Sequence, residues 1–160
     1  MKYIGNSIGN LLSDDMKNEF ISSIVEEGDV YRMRLDKREE IQGKDGADSR
    51  NKFFVVIGRD AEGNSFGFFV IDTGINKYLP EVRKQKHLLI LASKYPFLEG
   101  KDRYIDCSDF KIISKQRFAE LFSADKAKAK IEANDIEQIK HEAVTYRNAN
   151  KKRLKRFGLL

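Results

Sequence analysis

Between Gly28 and Thr73 three apolar runs are separated by two connections of very unequal length, and that inequality constrains the fold more than any other feature of the chain. The second connection, Asp60-Ala61-Glu62-Gly63-Asn64, is short and carries a glycine, as a β-hairpin turn does. The first, KREEIQGKDGADSRN, is about three times longer than a hairpin needs and almost without apolar residues. Loops of that length inside a compact domain are usually functional or disordered. The pattern predicts that this loop is the working edge of the molecule.

The runs themselves predict strands. Val30, Arg32 and Arg34 alternate with Tyr31, Met33 and Leu35, the mark of a half-buried strand, whereas Phe53–Ile57 and Phe66–Ile71 are continuously apolar and predict central strands. Upstream, after an irregular first twelve residues, Ser13 stands as a helix cap. Met16, Phe20, Ile21, Ile24 and Val25 then follow at helical spacing to about Glu27. Downstream, Leu88–Ala92, Tyr104–Asp106 and Phe110–Ile113 predict short strands, and Ser114 caps a short helix to Phe122. Residues 124–133 read as helix or connector, and Asn134 with Asp135 caps a last helix that frays into the basic tail, with Leu154 and Phe157 continuing its apolar face. The expectation is an α+β, mainly β domain: a small, strongly curved sheet or partly closed barrel with helices at both ends. Its parts are an N-terminal helical extension (1–27), the barrel with its closing helix (28–147) and a basic tail (148–160).

With 160 residues, one domain can bury a real core. No apolar run approaches the length needed to cross a bilayer, the first residues lack a signal-peptide pattern, and Cys107 stands alone. These features predict a reducing, cytoplasmic setting without membrane attachment. Net charge is +5, concentrated at Lys151, Lys152, Arg153, Lys155 and Arg156. Such a tail suits a polyanionic partner, or is simply solvated.

The chemistry narrows by exclusion. His87 and His141 are far apart and no cysteine pair exists, so neither a metal site nor a cofactor is expected. The neighbours of Cys107 are acidic and disfavour a thiolate, and Gly43-Lys44-Asp45-Gly46 lacks phosphate-loop spacing. His141 is a surface residue on its helix, and on spacing alone His87 is a strand-edge residue with a satisfied ring. One constellation remains. If the second and third runs form a hairpin, equal steps outward from its turn bring Arg50 to Asp72 and Thr73 within about two residues. A guanidinium beside a carboxylate and a hydroxyl can hold a phosphodiester and move protons around it, or can form an ordinary salt bridge at a sheet margin.

The same residues resemble the PemK/MazF (Kid-like) family of toxin endoribonucleases. The resemblance is carried by Gly28-Asp29-Val30-Tyr31, by Glu40-Ile41-Gln42-Gly43 in the loop, by Arg50 before Phe53-Phe54-Val55-Val56-Ile57, and by Val70-Ile71-Asp72-Thr73. It continues through Tyr104–Ser108, Ile113–Phe118 and the helix from Asn134, so that it covers roughly residues 28–147 in order. Asn51 stands where those proteins have proline, and Asp45–Ser49 is an insertion. The resemblance implies an SH3-like barrel, usually a homodimer, restrained by a cognate antitoxin whose disordered tail lies across the RNA groove. It implies metal-independent cleavage of single-stranded RNA, in which the ribose 2′-oxygen attacks the adjacent phosphate. Arg50 would stabilise the phosphorane and could also donate a proton, Thr73 would position or polarise the phosphate, and Asp72 could be the base. Glu40 and Gln42 would overhang the groove, with Arg32, Arg34, Lys44 and His87 as further RNA-contacting candidates. Two other readings stand beside it: a barrel that binds nucleic acid or a protein without cutting, and an unrelated α+β regulatory or structural protein.

Overall fold

A computed structural model describes residues 14–44, 46–122 and 127–160. The irregular first residues, the Ser13 cap and Asp45 of the loop insertion lie outside them. The described residues form α1 (Asp14–Ile24), β1 (Asp29–Asp36), β2 (Ser49–Arg59), β3 (Ser65–Asp72), α2 (Glu81–Lys84), β4 (His87–Ile90), β5 (Arg103–Asp106), β6 (Lys111–Ser114), α3 (Lys115–Leu121), β7 (Ala127–Lys130), α4 (Ala133–Thr145) and α5 (Lys151–Arg156).

The strands make one antiparallel sheet in the order β4-β5-β3-β2-β1-β7, with β6 also on β3. Its curl has a local origin. The edge of β3 not used by β2 is shared by two strands: Ile71 and Asp72 face β5, while Ser65–Phe68 face β6. The chain must kink at residues 107–110 to serve both ends of one strand, and the sheet bends into a half-barrel. The protein is therefore α+β, a curled sheet flanked by helices, and no helix among the described residues is long and apolar enough to cross a membrane.

Both faces of this sheet are covered, which is why β2 and β3 are apolar without alternation. One face carries Val30, Phe53, Val55, Phe69, Ile71 and Ile105 against α4 and the C-terminal segment. The other carries Met33, Leu35, Phe54, Val56, Phe66, Phe68 and Val70 with Phe118 of α3 and Val25 after α1. Several local expectations change. Helix α1 ends at Ile24, three residues early, so that Val25 can enter the core. Residues 127–130 of the Ala/Lys-rich segment form strand β7, paired with Asp29–Tyr31 of β1, because an open sheet edge outweighs the helix propensity of alanine and lysine, while residues 124–126 of that segment lie outside the described residues. Helix α4 starts at Ala133 with Glu132 as its cap, leaving Asp135 in the first turn.

The C-terminal residues are not a trailing tail. Leu154 and Phe157 are buried in the first core, Arg153 donates to Glu40 and to the Phe110 carbonyl, and Arg156 donates to Asp60. Lys151, Lys152 and Lys155 remain exposed. The N-terminal helix likewise packs on the domain, Ile21 joining the second core.

Candidate functional site

The β2–β3 hairpin sets the geometry. From its turn outward Arg59 faces Phe66 and Gly58 faces Gly67; Ile57 is then an extra residue, and Val56 faces Phe68. This β-bulge shifts the register by one. Unbulged, Lys52 would arrive opposite Thr73; with the bulge it arrives opposite Asp72, and Lys52 Nζ donates to Asp72 Oδ1 at 2.5 Å. The carboxylate expected beside Arg50 therefore has Lys52 as its cation. Arg50 lies two residues further along the same face, opposite Leu35 of β1.

Arg50, Asp72 and Thr73 nevertheless line one open cleft of about 610 Å3, and Arg32, Glu40, Gln42 and His87 line it too. Arg34 and Lys44 are not among its lining residues, and Arg34 Nε donates to Ser49 Oγ at 2.8 Å. The His87 ring is enclosed, its side chain 2% exposed, with Nδ1 2.9 Å from the Arg83 carbonyl and Nε2 3.6 Å from Asp106. It is part of the cleft wall. Cys107, just behind, is buried; burial pushes its thiol well up, with the Asp106 and Glu142 carboxylates adding to the rise.

The long loop reaches the cleft because its first half is structured. Asp36 caps a short 3-10 turn over Lys37–Glu39, and the Glu39 carboxylate accepts in return from the Asp36 amide, a capping box. Glu39 is buried, and Arg117 of α3 holds both acids, 3.3 Å from Glu39 and 3.4 Å from Asp36. The Arg38 side chain beside Asp36 holds that carboxyl well below the usual range, helped by the Arg38 amide. Glu40 adopts a left-handed conformation (φ +61°), and Ile41 is buried like a plug. The strained residue and the plug together set Glu40 and Gln42 at the rim. Lys111 of β6 donates to the Glu40 carbonyl at 3.0 Å. Asp36-x-x-Glu39 is a readable capping signal; the single apolar residue Ile41 is the only other hint of this anchoring.

Electrostatically the cleft divides in two. Lys52 pairs with Asp72, Arg83 with Asp106 and Asp109, Lys111 with Asp109, and Glu40 with Arg153. Arg32, Arg50 and Arg103 have no acidic partner among the described residues, and they come from three strands, β1, β2 and β5. The Phe53 ring is near both the first and the last: Arg32 Cζ is 5.3 Å and Arg103 Cζ 5.1 Å from its centroid. Arg103 Nε is buried with no hydrogen-bond partner. Lys52 and Arg103 are the cleft residues that linear reading passes over, the first because a bulge is invisible in sequence, the second because the pairing of β5 is long-range. No group of three or more His, Cys, Asp or Glu among the described residues could hold a metal ion.

The chain matches no protein-family model and no curated protein.

Proposed function

We propose that this chain binds single-stranded RNA in the cleft and cleaves it without a metal, as the toxin of a type II toxin–antitoxin system built on an SH3-like barrel. The observation that carries the reading is the gathering of Arg50, Asp72 and Thr73 at one cleft that also holds cations with no acid of their own. A phosphorane transition state concentrates negative charge, and a fixed guanidinium meets it without reorganisation. In the proposed step Asp72 takes the proton of the 2′-hydroxyl, the 2′-oxygen bonds to phosphorus, and the P–O5′ bond breaks. Arg50 steadies the non-bridging oxygens and Thr73 donates to the phosphate. Lys52 orients Asp72 and supplies the proton for the leaving 5′-oxygen, a task an ammonium performs and a guanidinium does not. The products are a cyclic phosphate and a 5′-hydroxyl. A homodimer in the cytoplasm, with an antitoxin segment covering the cleft, completes the proposal.

Expression in a bacterial host, followed by sequencing of 5′-hydroxyl RNA ends, tests it. Wild type should arrest growth and generate such ends, and Arg50→Ala should lower cleavage by about a hundredfold to a thousandfold while remaining folded. The Lys52–Asp72 pair, which occupies the candidate base, favours a second reading, binding without cutting. In that case wild type retains RNA but creates no new ends.

A further inference from the structure

We propose that Arg103, together with Arg32, forms a phosphodiester-binding subsite on the Phe53 side of the cleft; the identity of the polyanion as RNA rests on the reading above, the subsite itself on geometry. The ladder explains how two strands that are not neighbours serve one ring. Arg32 of β1 faces Phe53 of β2, Phe53 faces Ile71 of β3, and Ile71 faces Ile105 of β5. Arg103 lies two residues before Ile105 and therefore on the same face. Both guanidiniums settle near the Phe53 ring, at 5.3 and 5.1 Å from its centroid.

Aromatic faces attract cations, but they accept no hydrogen bonds of ordinary strength. Neither guanidinium has a carboxylate or any hydrogen-bond acceptor among the described residues, and Arg103 Nε is moreover buried. Two like charges sharing one ring, one with an unmet buried donor, call for an anion that brings oxygen acceptors. The planar N–H fork of arginine matches the paired oxygens of a phosphate, and a lysine does not reproduce it. Arg83 and Lys111, which line the same cleft, are by contrast already committed to Asp106 and Asp109. The uncommitted cations are spread over β1, β2 and β5, an arrangement suited to a chain with an anion at every residue. A nucleic-acid backbone is such a chain.

The test measures affinity of the full chain for a non-cleavable 2′-O-methyl oligoribonucleotide across a range of salt. Arg103→Ala should weaken binding about tenfold at low salt and reduce the slope of log affinity against log salt by about 0.7, one phosphate contact on a single strand. Arg103→Lys, the more conservative change, should keep the slope yet bind more weakly than wild type. Unchanged affinity and slope in Arg103→Ala overturns the subsite. So does a polyglutamate peptide that competes equally well with the same dependence on Arg103, since the subsite would then belong to an acidic protein. Cleavage is scored separately. A wild type that cuts RNA while Arg103→Ala binds unchanged sinks the subsite alone, binding through Arg103 with no 5′-hydroxyl ends sinks the nuclease alone, and no RNA binding at all sinks both.

Discussion

Asp60 shows how much one side chain can organise. Its carboxylate is buried in the hairpin turn, where Oδ1 accepts from the Asn64 amide at 2.7 Å and the Ser65 amide at 3.3 Å. Oδ2 accepts from Arg156 of α5 at 3.0 Å. Burial by itself pushes the carboxyl up; the Asn64 amide, the Arg156 side chain and the Ser65 amide outweigh it, and Asp60 titrates below its ordinary value. A folded-state value below the unfolded one, about 3.9, gives stability that is complete above that pH and lost as pH falls through the folded value. Asp60→Asn should therefore lower unfolding free energy at neutral pH by about 1–3 kcal/mol and flatten the loss of stability below about pH 4. Urea denaturation at several pH values reads both effects, and an unchanged acid limb would remove Asp60 from this role. The sequence identifies residues 60–64 as a turn, but that its first residue also ties down α5 depends on Arg156, 96 positions away.

At the scale of elements, β3 is a strand with a hole in it. A methyl group at Gly67 would lie 2.2 Å from Phe110 Cζ and 3.1 Å from Phe157 Cδ1, so the glycine is what lets those rings sit against the sheet. Gly67→Ala should cost about 1–3 kcal/mol by overpacking. Gly58, across the hairpin, offers the control: its methyl would meet only the Phe157 carbonyl, at an ordinary 3.7 Å. Gly58→Ala should be neutral or gain up to about 1 kcal/mol, because glycine is costly in strand interiors. Thermal unfolding of the two variants compares them directly, and equal melting temperatures would contradict the packing of Phe110 against β3. The hairpin that holds both glycines is legible from its turn and its apolar runs. Its bulge is not, because one extra residue at Ile57 alters no local pattern yet decides which side chain meets Asp72.

For the whole molecule, the C-terminal residues close the core. The Phe157 ring lies tilted against Phe110 with centroids 5.3 Å apart, and Leu154 shares a cluster with Phe53 and Ile71. Phe157→Ala should lose about 3–5 kcal/mol, and truncation after Asn148 should remove most of the stability of a domain this size, commonly about 5–15 kcal/mol in total. Circular dichroism in urea would show a truncated chain with little or no cooperative transition. A truncated chain as stable as the intact one would mean that α5 is only peripheral. Read linearly, Leu154 and Phe157 continue an apolar face through the crowded lysines and arginines of residues 151–156, but that this face docks against Phe110 depends on contacts more than 40 positions away.

What the sequence alone determines here is local: the strand and helix periods, the Gly63 turn, the Ser114 cap of α3 and the two-sided burial of β2 and β3. These follow from short-range rules of burial period and turn chemistry. Tertiary structure decides the rest: the strand state of β7, the docking of α5, the choice of Lys52 for Asp72 and the delivery of Arg103 to Phe53. Each of these depends on register between strands or helices far apart in the chain, where a shift of one residue exchanges the face a side chain occupies, and no local window contains that information.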